Sequence, residues 1–145
     1  MRSIKLITIF LALILISCSQ EARDINYGHE NCSYCSMTIM DEQFGAETVT
    51  EKGKVFTYCS IECMGKEYLD AKKFDKDEVA LMLCKDYESP DKLIEVGKMT
   101  FLISKQMPSP MGKYLNAFDS EKKALDYQNK NGGKVMTWEQ VLGKL

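Results

Sequence analysis

Between Met37 and Asp91 the spacing of apolar and polar residues changes period twice, and the second half of the chain repeats the same changes in the same order. Thr38-Ile39-Met40 and then Ala46-Glu47-Thr48-Val49-Thr50 alternate with β-branched residues, and Glu51-Lys52-Gly53-Lys54 has turn composition. Val55 to Cys59 then predicts the partner strand of a hairpin. Ser60 is a good N-cap, and Ile61, Met64, Tyr68 and Ala71 recur at helical spacing, so a helix is expected over about 61–73 with that stripe against the sheet. Val79 to Cys84 is an unbroken apolar run and reads as a strand buried on both faces, and Glu88-Ser89-Pro90-Asp91 closes the unit.

In the second half Met99 to Ile103 predicts a strand, Met107 to Gly112 a proline loop and Tyr114 to Phe118 a second strand. Ser120 caps a helix running to about Lys130, Gly132-Gly133 stops it, and Val135-Met136-Thr137 starts a last strand before Trp138 to Leu142. Superposing Lys54–Ser60 on Lys113–Ser120 aligns strand, N-cap and helix with one residue inserted. The reading is an α+β protein of two small ββαβ units in tandem, a diverged duplication packed as one compact body. The units are drawn at residues 29–91 and 92–145, and only the first carries paired cysteines.

Two segments stand before the repeats. Arg2 and Lys5 precede an apolar run from Leu6 to Ile16, which is shorter than the roughly 20 residues needed to span a bilayer. Residues 1–17 therefore read as a signal peptide and are excluded from the fold. The run ends in Leu15-Ile16-Ser17-Cys18, which resembles the bacterial lipobox, and that resemblance implies a lipid on Cys18. An uncleaved anchor with an inert Cys18 is the alternative. Residues 18–28 have little apolar content and suit a tether between lipid and domain.

Composition changes this picture little. The 145 residues are 45% hydrophobic and 28% charged, with a formal net charge of −2 and no massed basic residues, so nucleic acid is not an expected partner. Export changes more, because thiols outside the cytoplasm tend to form disulfides. With Cys18 acylated, five cysteines remain, an odd number that cannot all pair with one another. Cys84, inside the apolar run, reads as a small buried hydrophobe.

The remaining four form two close pairs, Cys32/Cys35 and Cys59/Cys63, each followed within two residues by a methionine, Met37 or Met64. Thiolate and thioether sulfurs favour Cu(I), zinc or iron–sulfur clusters over hard cations. Cys63 is the third residue after the N-cap, where free amides and the helix dipole favour a thiolate, and it lies off the apolar stripe. Cys59 ends the preceding strand, so the two can converge on one ion. Met37 shares a face with Cys35 if the chain there is extended. Met64 is on the stripe and reads first as a packing residue. His29, the only histidine, reads first as a solvated side chain, and Met111 as part of a rigid proline turn. All three are kept as possible further ligands.

The spacing resembles two families. C-x2-C followed after 23 residues by C-x3-C is similar to the four-cysteine knuckles of the TRASH type, which implies structural Zn(2+). The lipobox, the C-x-x-C-x-M element and the later Ser109-Pro110-Met111-Gly112 resemble NosL, a family of membrane-anchored copper chaperones for nitrous oxide reductase maturation. That resemblance implies the doubled ββαβ order, Cu(I) at Cys32, Cys35 and Met37, and delivery to the machinery that assembles the enzyme's copper–sulfide centre. This chain departs from the NosL pattern in having Ser36 where glycine usually precedes the methionine, and in its second cysteine pair.

The sequence thus favours an exported, lipid-anchored Cu(I) carrier facing the periplasm or the cell exterior. A zinc interaction module is the alternative, and a disulfide-stapled domain is a further one. No catalytic function is expected: C-x-x-C here precedes an extended stretch rather than the first turn of a helix, and no carboxylate pair, Ser/His/Asp set or phosphate-cradling loop is evident.

Overall fold

The structure is a computed structural model that describes residues 20–145. The expected signal peptide and the candidate lipidation site Cys18 lie outside the described residues. In the first unit β1 (Ala46–Thr50) and β2 (Val55–Tyr58) form a hairpin, α1 (Ile61–Asp70) follows, and β3 (Val79–Lys85) returns antiparallel on the other side of β1. β4 (Leu93–Glu95), a strand the sequence did not announce, pairs with β3, giving the order β2-β1-β3-β4. β4 lies past residue 91, where the sequence reading divided the units, yet it extends the first sheet.

The second unit repeats the plan with β5 (Thr100–Ile103), β6 (Leu115–Phe118), α2 (Glu121–Asn131) and β7 (Lys134–Met136), in the order β6-β5-β7. A short α3 (Trp138–Leu142) completes it. In both units the first strand is central and the hairpin partner and returning strand flank it. Register matches as well: Ala46 faces Tyr58 as Thr100 faces Phe118. The doubled ββαβ, α+β reading is therefore the observed fold.

The helix starts are set by their caps. Ser60 and Ser120 are both extended, and each side chain accepts the amide proton three residues on, from Cys63 and Lys123. α1 stops at Asp70, three residues short of expectation, because Ala71 turns left-handed at φ 49° and its N–H closes on the Glu67 carbonyl. Glu67 reinforces the stop by accepting from the amides of Lys72 at 3.1 Å and Lys73 at 2.9 Å.

The segment expected to be a tether is fastened down. Ile25 is buried, the Arg23 amide donates to Glu47, and Arg23 pairs with Glu30 at 2.6 Å, which in turn accepts from Thr57. Gly45 leaves room for the Tyr27 hydroxyl, which any Cβ at residue 45 would hit. The segment covers one face of the first sheet while the core covers the other, so all five residues of β1 are buried.

The units share one core, with Ile61 and Met64 of α1 in the same cluster as Phe101, Leu115 and Trp138. α1 is the meeting place. Its Gly65 lies against Leu145 and Trp138, so a side chain there would push the end of the second unit away. Backbone bonds stitch the seam, from Tyr87 to Ala117 at 2.8 Å and from Asp119 to the Asp86 carboxylate at 2.7 Å. Among the described residues no helix is long and apolar enough to cross a membrane.

Candidate metal centre

The first cysteine pair sits in a tight turn before β1. The Ser36 amide donates to the Cys32 carbonyl at 2.9 Å and the Cys32 amide to the Met37 carbonyl at 2.7 Å, folding the backbone back on itself. Ser36 has φ 64°, in the left-handed region that glycine enters most cheaply. That is the position where the NosL pattern usually has glycine. The Ser33 amide bonds the Thr57 carbonyl at 2.8 Å, so the turn is moored to the free edge of β2.

That mooring brings the two pairs together. Cys59 follows β2, Cys63 lies in the first turn of α1, and the sulfurs of Cys32, Cys35, Cys59 and Cys63 all fall within 4.8 Å of one another. Cys35 and Cys59 are 3.6 Å apart and Cys59 and Cys63 3.7 Å, with every thiol free. A tetrahedral thiolate site with metal–sulfur bonds of about 2.3 Å has edges of about 3.8 Å. Two of the edges already match, the other sulfurs lie within 4.8 Å, and the donor set fits a soft ion.

Charge in the cluster is not where the helix dipole alone would put it. The Cys32 thiol is held well below the usual range, chiefly because the thiols of Cys59 and Cys63 donate to its sulfur, with help from the amides of Cys35 and Cys59. The same contacts push Cys59 up to about 12 and Cys63 up further, each beside the negative sulfur of Cys32. The sequence reading gave the thiolate to Cys63. In the structure the sulfurs of Cys32, Cys59 and Cys63 share one set of contacts, which favour one negative sulfur among them and oppose a second.

The other candidates fall differently. Met37 is 49% exposed, and Ser36 breaks the extended geometry on which its shared face with Cys35 depended. Met64 is fully buried in the core, His29 is exposed and not part of the sulfur group, and Met111 is half-buried against the core. Cys84 is fully buried on β3 outside the group, and burial pushes its thiol up.

Sequence reasoning missed one contact. Glu62, between Cys59 and Cys63 and fully buried, accepts a hydrogen bond from the Ser109 hydroxyl, leaving its second oxygen without a partner. Ser109 opens the Ser-Pro-Met-Gly loop, so that loop of the second unit grips the helix turn that carries Cys63. A glutamate in a helix's first turn ordinarily signals only the dipole, and nothing in the sequence names its partner.

Fold and site together define a class: a doubled ββαβ protein whose first unit closes four thiols around a soft-metal position. The chain belongs to the NosL family, whose pattern matches residues 25–145. It is similar in structure to the copper chaperone NosL from Shewanella denitrificans, with a TM-score of 0.70 and 21% identity over 83% of this chain and 95% of that one. No curated protein sequence matches the chain.

Proposed function

We propose that this protein is an exported lipoprotein that binds Cu(I) through its cysteine sulfurs and delivers it for assembly of the copper–sulfide centre of nitrous oxide reductase. The observation that carries the reading is the convergence of four free thiols from two separate places in the chain, in a member of the NosL family. The copper chaperone named among its structural relatives adds support. Copper here is cargo. A carrier needs soft donors that bind tightly yet exchange, and thiolates give Cu(I) both properties. The thiols lose their protons as the ion enters.

In this reading the lipid on Cys18 holds the protein at the membrane, facing the periplasm or cell exterior, and the partners are the enzyme's maturation machinery. Met37, His29, Met64 and Met111 remain secondary candidates for ligation, of which Met37 is favoured by its exposed thioether. A Cys18→Ser variant is expected to move from the membrane fraction to the soluble one.

A second reading has its own support. Sulfur edges of 3.6 and 3.7 Å suit tetrahedral zinc equally well, which is the TRASH-like alternative. Metal analysis of protein purified without added metal, followed by Cu(I) titration against a competing chelator, separates them. The carrier reading expects one Cu(I) per chain, taken up in preference to zinc. Stoichiometric zinc that copper does not displace would end it.

A further inference from the structure

The four sulfurs are not equally reachable. Cys63 is 0% exposed on a helix turn enclosed by both units, Cys59 is 5% exposed at the end of β2, and Cys32 is 2% exposed with its amide tied to Met37. Cys35 alone is partly open to solvent. It sits in a turn, and the next residue, Ser36, is exposed. Just beyond stand Met37 and Met40, 49% and 70% exposed, the two most exposed large apolar side chains among the described residues. Methionine is ordinarily a core residue, and its thioether is a soft donor. Met37, two residues past the one partly open sulfur, thus holds a soft atom in water near Cys35.

We propose that Cys35 is the exchange ligand of this centre, the sulfur that leaves when an incoming soft donor takes the ion, while Cys32, Cys59 and Cys63 hold it until last. The proposal rests on the Cu(I)-carrier reading and adds to it an order of events. Tightly bound Cu(I) leaves a thiolate site by associative exchange, which needs one approach path and one displaceable ligand. An acceptor thiol approaching Cys35 gives up its proton as its sulfur bonds the ion. The bond from the ion to Cys35 breaks, and the freed Cys35 thiolate takes up a proton. Copper stays Cu(I) throughout, so no oxidant or reductant is needed. The acceptor expected is a protein or peptide bearing an exposed cysteine or methionine.

The test uses the reduced full chain loaded with one equivalent of Cu(I), its copper content measured first. Limiting N-ethylmaleimide is then added, and intact-mass and peptide analysis locate the first adduct. With every cluster thiol metal-bound, the alkylation rate reports how often each sulfur is released. The first adduct is expected on Cys35, with copper retained by the other three sulfurs and at least ~10-fold faster than at Cys32, Cys59, Cys63 or the buried reference Cys84. A first adduct on Cys32, Cys59, Cys63 or Cys84, or an even spread among these and Cys35, overturns the proposal and leaves the carrier reading standing; Cys18, outside the cluster, is replaced by serine for this test. A protein that holds no Cu(I) at the outset ends the carrier reading instead.

Discussion

The two units share a fold and differ in what sits at one end of it. With Ser60 laid on Ser120, Cys59 corresponds to Asp119 and Cys63 to Lys123. In the first unit these positions carry thiols 3.7 Å apart. In the second they carry an ion pair at 3.0 Å, with Lys123 also 3.5 Å from Asp86 and Glu88. The same strand-to-helix corner, capped by the same serine, thus presents two side chains four residues apart to one point. The scaffold supplies convergence, and the residues decide whether an ion or a salt bridge fills it.

The comparison continues along the helix. Glu62 is buried where Lys122 extends into solvent, and Gly65 lies against the other unit where Leu125 is 41% exposed. α2 keeps one free face; the first turn of α1 is enclosed. The second unit, which has no cysteine, supports the helix that carries Cys63. The strands differ in the same sense. Glu47, buried on β1, occupies the register position that Phe101 fills on β5.

The largest expected break comes from removing, at the corner of the first unit, the two thiols that the second unit lacks. Cys59→Ala together with Cys63→Ala should lower Cu(I) affinity by more than the ~100-fold that loss of an outer contact costs, read by chelator competition, with the fold retained by circular dichroism. Next is Glu47. Burial raises its carboxyl to about 7 from an ordinary 4.5. The folded state therefore prefers the protonated acid, and stability present below pH 4.5 is lost as pH rises to about 7, by on the order of 3 kcal/mol. Urea unfolding of the metal-free protein should show that slope, and Glu47→Gln should flatten it, as a phenylalanine at the matching place in β5 already does.

Ser109→Ala leaves buried Glu62 with no partner for either oxygen and should cost about 1–3 kcal/mol in the same assay. Ser109→Thr, which keeps the hydroxyl, should recover most of it. Lys123→Met is the mildest change. Asp86 keeps three backbone donors, from Glu88, Ser89 and Asp119, so losing the half-open ion pair should cost no more than about 1 kcal/mol. A loss as large as that at Ser109 would mean that the ion pair holds its corner together as the sulfurs hold theirs.

The sequence by itself determined the repeat, because β-branched alternation, the serines at 60 and 120 and helical apolar spacing are local signals read within a few residues. It also marked, by their spacing, the four cysteines that come together. Tertiary structure decided the rest. β4 is three residues long and stable only because β3 offers an edge, and residues 20–27 look like a tether until Glu47 and Gly45 give them a surface. The closure of Cys32 and Cys35 on Cys59 and Cys63 is held by long-range bonds, among them Ser33 to Thr57 and Thr57 to Glu30, which no local pattern predicts. That closure also sets the charge of the cluster, because neighbouring thiols favour one negative sulfur among them and oppose a second, whatever each one's position along the chain.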